Sequence, residues 1–406
     1  MTDRADAIGI KTATWSEDAR IMGLVGSAHL VSHFFHLILA PLFPWLRAEF
    51  GFSYAQLGFL MTVFFVVSGG FQAVSGFIVD RYGAVRTLIA GLLSLSVSAA
   101  VLASSDDYSM LLIGAGLAGL GNAVFHPVDF WLINHRISVP RLGPAYSAHG
   151  LSGSLGWAFA PVFLVGIATP FGWRTAVLAA AALPLIVIAL LAFNRTALKL
   201  GDGGDRAMSG DSQGKSTFRF LRDPSTWWCF AFFLFISAAL GGVQSFAPII
   251  FMNAYGMAVT VAALSITVYM LSSALGMIAG GWLVMRGRSL ERNITIALSL
   301  SAVGAVLVGL QIFSGVYIFA LMVLMGFGSG LSGPSRDMLI RSVTPVGATG
   351  RVYGVVYSGL DVGLAIGPFV FGKMLDYGFY VEVFYGIAFC FCFSVATAWR
   401  VVLNAR

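Results

Sequence analysis

The chain has 406 residues, of which 58% are hydrophobic and only 10% are charged, and its mean hydropathy is +0.86. Soluble domains carry about 25% charged residues, so this composition excludes an ordinary soluble domain and indicates a polytopic membrane protein. The net charge of +6 does not indicate a nucleic-acid partner, because the basic residues lie in short loops between apolar segments.

Twelve apolar segments follow one another along the chain. A helix that spans a membrane needs roughly 20 mostly apolar residues, and the first segment is too long for the core of a cleavable signal peptide. The segments lie at about 21–46, 54–79, 86–104, 109–134, 143–168, 174–193, 226–252, 258–284, 293–311, 315–341, 350–372 and 378–402. The sequence therefore predicts an all-α membrane protein with twelve transmembrane helices.

Residues 196–222 differ from the rest because they are polar, glycine-rich and charged. This composition is typical of a flexible linker, and we expect it to join two six-helix halves, residues 1–195 and 223–406. Of the 24 Lys and Arg residues, all but Arg47, Arg174 and Lys373 fall on one side of the predicted spans. The positive-inside rule then places both termini in the cytoplasm, with the chain in a bacterial inner membrane.

A set of glycine, proline and other residues recurs in the second half at one fixed spacing of 207 positions. The set is Gly119, Gly121, Pro127, Ile133, Gly143, Tyr146, Gly156 and Pro161, which return as Gly326, Gly328, Pro334, Ile340, Gly350, Tyr353, Gly363 and Pro368. Glycine and proline specify where helices approach closely or lack a hydrogen bond, so we expect two pseudo-symmetric bundles. Secondary transporters use duplicated bundles of this kind and hold their substrate between the repeats.

The loop between the second and third segments carries a recognisable motif. Gly76, Asp80, Arg81, Gly83 and Arg86 stand in the order of the loop signature of the major facilitator superfamily, which this chain resembles over nearly its whole length. The resemblance implies the major facilitator fold. It also implies a cytoplasmic gate at these five residues, with the acidic residue held near the start of the eleventh helix.

A narrower resemblance rests on Phe125–Pro127 (Phe-His-Pro) in the fourth segment, and on Ser32–Phe34 and Ala40–Pro44 in the first. These runs are similar to the fosmidomycin-resistance branch of the superfamily, which implies drug export driven by protons. This chain departs from the expected Phe-His-Pro-Glu because Val128 and then Asp129 follow the proline.

Histidines of the first segment form one candidate site. His29, His33 and His36 are spaced i, i+4 and i+7 and share one helical face. His33 is a candidate for proton coupling, and His29 and His36 are candidates for substrate binding; the alternative is that all three bind neighbouring helices. No metal site or other cofactor is predicted, because no carboxylate or thiol stands beside these histidines in the sequence.

Ionisable residues inside apolar segments are costly and are therefore candidates for function. His126 and Asp129 lie one turn apart on the fourth segment, and Asp361 lies near the middle of the eleventh. All three are proton-coupling candidates. The alternative for Asp129 is a structural ion pair, for example with Arg336.

Three further residues are substrate-binding candidates: Arg336, Asp337 and His149. Arg336 could bind an anionic group or could neutralise Asp337, and the second interpretation is favoured. His149 could instead be a simple helix contact. Acidic residues at the loop edges, such as Glu49 and Asp376, are expected to be solvated.

These patterns favour a proton-coupled exporter of a small, partly apolar compound that works by alternating access. The alternative is a proton symporter that imports a small organic anion held by Arg336. An enzyme is not expected, because the chain lacks a phosphate loop, a nucleophile elbow and a metal-ligand set. The expected partners are the substrate, protons and the lipid bilayer, and the protein is expected to be a monomer.

Overall fold

The computed structural model describes residues 14–195, 222–287, 289–343 and 349–405. The predicted linker, 196–222, lies outside the described residues except for Arg222. The α-helices are Trp15–His36, Phe43–Phe50, Tyr54–Tyr82, Ala84–Ala103, Tyr108–Asn122, Phe125–Arg136, Leu142–Phe171, Trp173–Ala180, Ala182–Phe193, Pro224–Tyr255, Val259–Met285, Leu290–Gly309, Val316–Val343, Thr349–Asp376 and Glu382–Ala405, with short 3-10 turns at Ala40–Leu42 and Val139–Arg141.

These helices form twelve spans that are long and apolar enough to cross a membrane, which confirms the predicted number. The first, fourth and sixth spans are each built from more than one helix. In the first span, Pro41 and Pro44 each stand in the first turn of the helical piece that contains them. Proline fits there because the first turn needs no backbone N–H, and this explains why the span restarts twice.

The fourth span is interrupted between Asn122 and Phe125, just before Pro127. Proline cannot donate a hydrogen bond, so the carbonyl four residues earlier, that of Ala123, loses its usual partner. Ser75 of the second span replaces it, because its hydroxyl donates to the Ala123 carbonyl at 3.1 Å. A neighbouring side chain thus satisfies the backbone where the helix is broken, as the apolar interior of a membrane requires.

The spans pack as two bundles with the same internal arrangement. In the first half, spans 1–6, the first span packs on the fifth, the second on the fourth, and the third on the fourth and sixth. In the second half, spans 7–12, the equivalent pairs are the seventh with the eleventh, the eighth with the tenth, and the ninth with the tenth and twelfth. The predicted pair of pseudo-symmetric six-helix bundles is confirmed.

Glycines of the repeat make equivalent close contacts in both halves. A Cβ added to Gly156 would meet the backbone carbonyl of Leu30, and a Cβ added to Gly363 would meet that of Leu234. Only glycine permits helices to approach this closely. The glycines that meet a neighbouring helix in this way in both halves are Gly119 with Gly326, Gly121 with Gly328, and Gly156 with Gly363.

The halves meet along two pairs of spans, the second with the eleventh and the fifth with the eighth. We call the end of the bundles that carries Asp80 and Arg81 the basic side, and the other end the opposite side. Thr62 on the second span donates a hydrogen bond to the carbonyl of Ala365 at 2.5 Å. An equivalent hydrogen bond joins the fifth and eighth spans, because Thr267 on the eighth span donates to the carbonyl of Ala158 on the fifth at 2.8 Å.

On the opposite side, Asp376 joins the two halves. Its carboxylate oxygens accept hydrogen bonds from the backbone N–H groups of Tyr54 at 2.7 Å and of Ala55 at 2.9 Å. Tyr54 and Ala55 are the first residues of the second span. At the start of a helix the backbone N–H groups have no partner within the helix, and the helix dipole favours a negative charge. The expectation that Asp376 is merely solvated is therefore wrong. The two halves are therefore in contact at this end of the bundles.

Candidate functional site

Five of the six histidines in the chain gather with Asp129 in one buried cluster of the first half. The members of this histidine cluster are His29, His33, His36, His126, His149 and Asp129. The cluster extends from the middle of the first, fourth and fifth spans towards their basic side. Only His126 is partly exposed, so it marks the accessible edge of the cluster.

The Asp129 carboxylate lies at the centre of the cluster and is fully buried. Nε2 of His149 donates a hydrogen bond to Asp129 Oδ2 at 3.0 Å. Nδ1 of His29 lies 3.0 Å from the same oxygen, but it is not aligned for a hydrogen bond. The rings of His29 and His149 stack with centroids 3.6 Å apart. Asp129 Oδ1 has no hydrogen-bond partner among the described residues.

These contacts differ from those predicted for Asp129. The hydrogen-bond partner is His149 rather than His126, and the ion pair suggested with Arg336 is not formed. His149 is therefore more than a helix contact, because it holds the buried carboxylate. The spacing of residues along one helix reveals only neighbours on that helix, and both His29 and His149 reach Asp129 from other spans.

His33 occupies the interior of the cluster without a hydrogen bond on either ring nitrogen in the part of the chain that the structure describes. Its ring lies 4.3 Å from that of His29 and 4.3 Å from that of Trp157, measured between centroids. The fifth span makes room for it at Gly153, where an added Cβ would come within 2.7 Å of the His33 ring. Buried polar groups normally have partners, so these two nitrogens are available to a bound water or ligand.

His36 is held differently, by a polar network centred on Asn122. Trp157 donates its indole N–H to His36 Nδ1 at 3.3 Å, so Nδ1 is the acceptor, and His36 Nε2 donates to Asn122 Oδ1 at 3.1 Å. Ser32 donates to the same oxygen at 2.5 Å, and the amide of Asn122 donates to Ser68 at 2.8 Å. Both nitrogens of His36 are therefore engaged, which leaves it a neutral, structural member of the cluster.

Two members of this network were missed by the sequence interpretation. Asn122 is uncharged, so a search for ionisable residues in the spans does not find it. A polar amide within an apolar segment nevertheless indicates a hydrogen-bonded position inside the bundle. Trp157 is likewise uncharged, yet it contacts both His33 and His36. Glu49, which was expected to be solvated, accepts a hydrogen bond from the indole N–H of Trp173 at 2.7 Å.

Arg336 pairs with its own neighbour. Its Nε lies 2.9 Å from Asp337 Oδ1, and its guanidinium sits 4.7 Å from the centre of the Phe233 ring. Tyr357 donates a further hydrogen bond to Asp337 Oδ1 at 3.3 Å. The favoured prediction, that Arg336 neutralises Asp337, matches this geometry.

Asp361 lies at the contact between the halves. It is partly buried on the eleventh span, and a Cβ added to Gly69 of the second span would come within 3.1 Å of its side chain. Among the described residues we find no hydrogen bond or ion pair of its carboxylate. A carboxylate without a partner inside the membrane is costly, so its position between the halves is a reason to retain it as a candidate.

The predicted gate loop lies at the surface of the basic side. Asp80, Arg81 and Arg86 are exposed, and a Cβ added to Gly76 would meet no described atom within 4 Å. Gly83 has φ of +87°, a conformation that favours glycine and turns the chain between the second and third spans. The side chains at the start of the eleventh helix, where the gate partner was expected, lie outside the described residues.

The reason for excluding a metal site is contradicted by the structure. The prediction assumed that no carboxylate stands beside the histidines, yet Asp129 lies 3.0 Å from both His29 and His149. One nitrogen from each of His29, His126 and His149 lies within 4.8 Å of the others. This is a set of groups that can hold a metal ion.

Comparison with known proteins identifies relatives of the chain. It is 27% identical over 152 residues to the fosmidomycin resistance protein of Escherichia coli, a match that spans only 37% of either chain. It is 25% identical over 383 residues to the uncharacterised transporter YfnC of Bacillus subtilis, covering 91% of this chain and 90% of that protein.

The fold is shared with solved transporters. The crystal structure of a bacterial homologue of the human lysosomal transporter Spinster, in an inward-facing and occupied conformation, matches 97% of this chain and 98% of that one, with a TM-score of 0.75 and 14% identity. The family model described as Major Facilitator Superfamily matches residues 25–295 and 241–405. The chain is a member of the major facilitator superfamily.

Proposed function

We propose that this protein is a proton-coupled exporter of a small, partly apolar organic compound, and that it works by alternating access. The observation that carries the proposal is the buried contact of Asp129 with His149 and His29. Buried carboxylates and histidines in membrane spans mark proton relays, because a charge there is expensive unless it is used or paired. Asp129 would hold the proton, and the two imidazoles would receive it.

The neighbouring histidines supply a route and a binding surface. The rings of His149, His29, His33 and His36 follow one another with centroid distances of 3.6, 4.3 and 4.7 Å. Both ring nitrogens of His33 and Nδ1 of His126 have no hydrogen-bond partner among the described residues, so these two histidines would contact the proton or the substrate, His126 from the accessible edge and His33 from the interior. His29 and His149 would do so from inside.

Asp361 is the proposed partner on the second half. It lies where the second and eleventh spans meet, so rocking of the halves would change its surroundings. The halves themselves, residues 1–195 and 223–406, would move as two units joined by the linker 196–222. The gate residues Gly76, Asp80, Arg81, Gly83 and Arg86 would close the basic side when the opposite side opens.

Export is favoured over import by two observations. One relative is named a fosmidomycin resistance protein, and export of a drug is the way in which a transporter confers resistance. The alternative, import of an organic anion held by Arg336, needs a free positive charge, whereas Arg336 is paired with Asp337. The proposed location is the bacterial inner membrane, as a monomer with both termini in the cytoplasm, consistent with the distribution of basic residues.

The test is transport by vesicles under an imposed proton gradient. Everted vesicles with an acidic lumen should accumulate an exported compound, with fosmidomycin as the first candidate of a drug panel. Asp129→Asn should abolish the gradient-driven component while the folded protein remains in the membrane. Asp107→Asn is the matched control, because Asp107 caps the fourth span by accepting a hydrogen bond from the backbone N–H of Met110 at 2.8 Å.

The outcomes separate the alternatives. Accumulation in right-side-out vesicles, driven by external acid, would support the importing symporter instead. Full activity of both Asp129→Asn and Asp361→Asn would remove the carboxylates from the coupling mechanism.

A further inference from the structure

We infer that His29, His126 and His149, together with Asp129, form a binding site for a divalent transition-metal ion, of which Zn²⁺ is the best match. The inference concerns the same cluster as the proposed function, but it does not depend on transport, because metal binding can be measured on the purified protein.

The first argument is the set of donor atoms. Three imidazole nitrogens lie within 4.8 Å of one another, and the Asp129 carboxylate lies 3.0 Å from two of the three rings. Imidazole and carboxylate ligands suit Zn²⁺, which takes four ligands in a tetrahedron. Zn–N bonds of about 2.0–2.1 Å place ligand nitrogens roughly 3.4 Å apart, so small rotations of the rings would close the site around the ion.

The second argument is the lack of hydrogen bonds. Nδ1 of His29, Nδ1 of His126 and Oδ1 of Asp129 are buried atoms with no hydrogen-bond partner among the described residues. Native proteins rarely leave such groups unpaired, so several in one place indicate a missing ligand. An ion that binds two imidazoles and a carboxylate oxygen would satisfy all three atoms at once.

The third argument is that the ligand side chains are already held in place and that an ion can reach them. His149 Nε2 and Asp129 Oδ2 lie 3.0 Å apart, which is close to the spacing of two ligand atoms around one tetrahedral ion, so loss of the proton between them would leave both atoms placed to bind the ion. The stacked ring of His29 fixes the geometry from the first span. His126 is partly exposed, so an ion would enter from the accessible edge.

Two other histidines, His36 and His135, are less suited to the role. His36 uses both ring nitrogens in hydrogen bonds with Trp157 and Asn122, so it has none to offer. His135, the sixth histidine of the chain, is exposed, and its Nδ1 lies 2.8 Å from the Trp131 carbonyl of its own helix. His135 is therefore a natural control, being a histidine of the fourth span that lies outside the cluster.

The experiment measures binding of Zn²⁺, and of Co²⁺ as a visible probe, to the full-length protein purified in detergent with any histidine tag removed. Wild-type protein should bind about one ion per chain, and Co²⁺ should give the absorption of a tetrahedral site with nitrogen and oxygen ligands. His126→Ala and His149→Ala should each weaken binding by at least about tenfold, since even outer partners of metal ligands contribute 10–100-fold. His135→Ala should bind as wild type does.

Three results would overturn the inference: no binding by wild-type protein, binding unchanged in both cluster variants, or binding lost only in His135→Ala. If His149→Ala fails to fold, zinc binding by His126→Gln tests the inference instead, because His126 is partly exposed. In the absence of metal, the thermal stability of His126→Gln should equal that of the wild-type protein. Zinc binding without any proton-driven transport would reject the proposed function and leave this site standing. Proton-driven transport without zinc binding would support the proposed function and reject the metal site.

Discussion

Replacing Asp376 by Asn should shift the carrier towards the state that is open on the opposite side. The carboxylate accepts two backbone hydrogen bonds, from Tyr54 at 2.7 Å and Ala55 at 2.9 Å, and these bonds exist only while the halves touch there. Hydrogen bonds to a charged group contribute about 1.5–3 kcal/mol when well buried, and the helix dipole adds about 0.3–1 kcal/mol. Asp376 is largely exposed, and Asn retains one acceptor, so we expect a loss of about 1–2 kcal/mol, a shift of roughly 5- to 30-fold in the ratio of the two states.

The assay is double electron–electron resonance between spin labels on the two halves at this end of the molecule. Ser104 and Ser314 are exposed positions that follow the third and ninth spans, and they would be labelled in a background without the three native cysteines. In Asp376→Asn the population with a long distance between the labels should grow.

Asp107→Asn is the matched control for this measurement. Asp107 also accepts a backbone hydrogen bond at the start of a span, but its partner, Met110, belongs to the same half. The control should keep the wild-type distance distribution. If Asp376→Asn keeps that distribution as well, the contact does not hold the halves together and the reasoning fails.

Two substitutions should reduce stability in the first half, as followed by thermal unfolding in detergent. Gly156→Ala would press a methyl group against the carbonyl of Leu30 and should cost about 1–3 kcal/mol, whereas Gly150→Ala on the same helix meets open space and should be neutral. Asn122→Ala removes three side-chain hydrogen bonds, which at about 0.6 kcal/mol each inside a membrane sum to roughly 2 kcal/mol; the exposed Asn134→Ala is its control. Equal melting temperatures for either variant and its control would contradict the packing described here.

The architecture was predictable because it is specified locally. A span needs a run of apolar residues, and the repeat glycines record a requirement of the backbone, so Gly156 and Gly363 could be matched before any contact was known. Their contacts with Leu30 and Leu234 are equivalent in the structure. The loop from Gly76 to Arg86 pointed to the correct superfamily for the same reason, since its residues are adjacent in the chain.

The partners of the site residues were not predictable in this way. The sequence placed Asp129 one turn from His126, and that spacing suggested the wrong partner. The carboxylate turns instead to His149 and His29, on two other spans, and this depends on how the bundle is packed. The contacts of Asp376 were unpredictable for the same reason. The residues next to it in the sequence do not indicate that the start of the second span lies beside it.

All members of the histidine cluster come from the first, fourth and fifth spans, and therefore from the one half that we propose moves as a unit during transport. An ion or proton held there would keep the same coordinating atoms throughout a transport cycle, and only its path to water would change. Its intrinsic affinity would then be equal at the two faces of the membrane. The direction of net movement would follow from the concentrations on either side rather than from any rebuilding of the site.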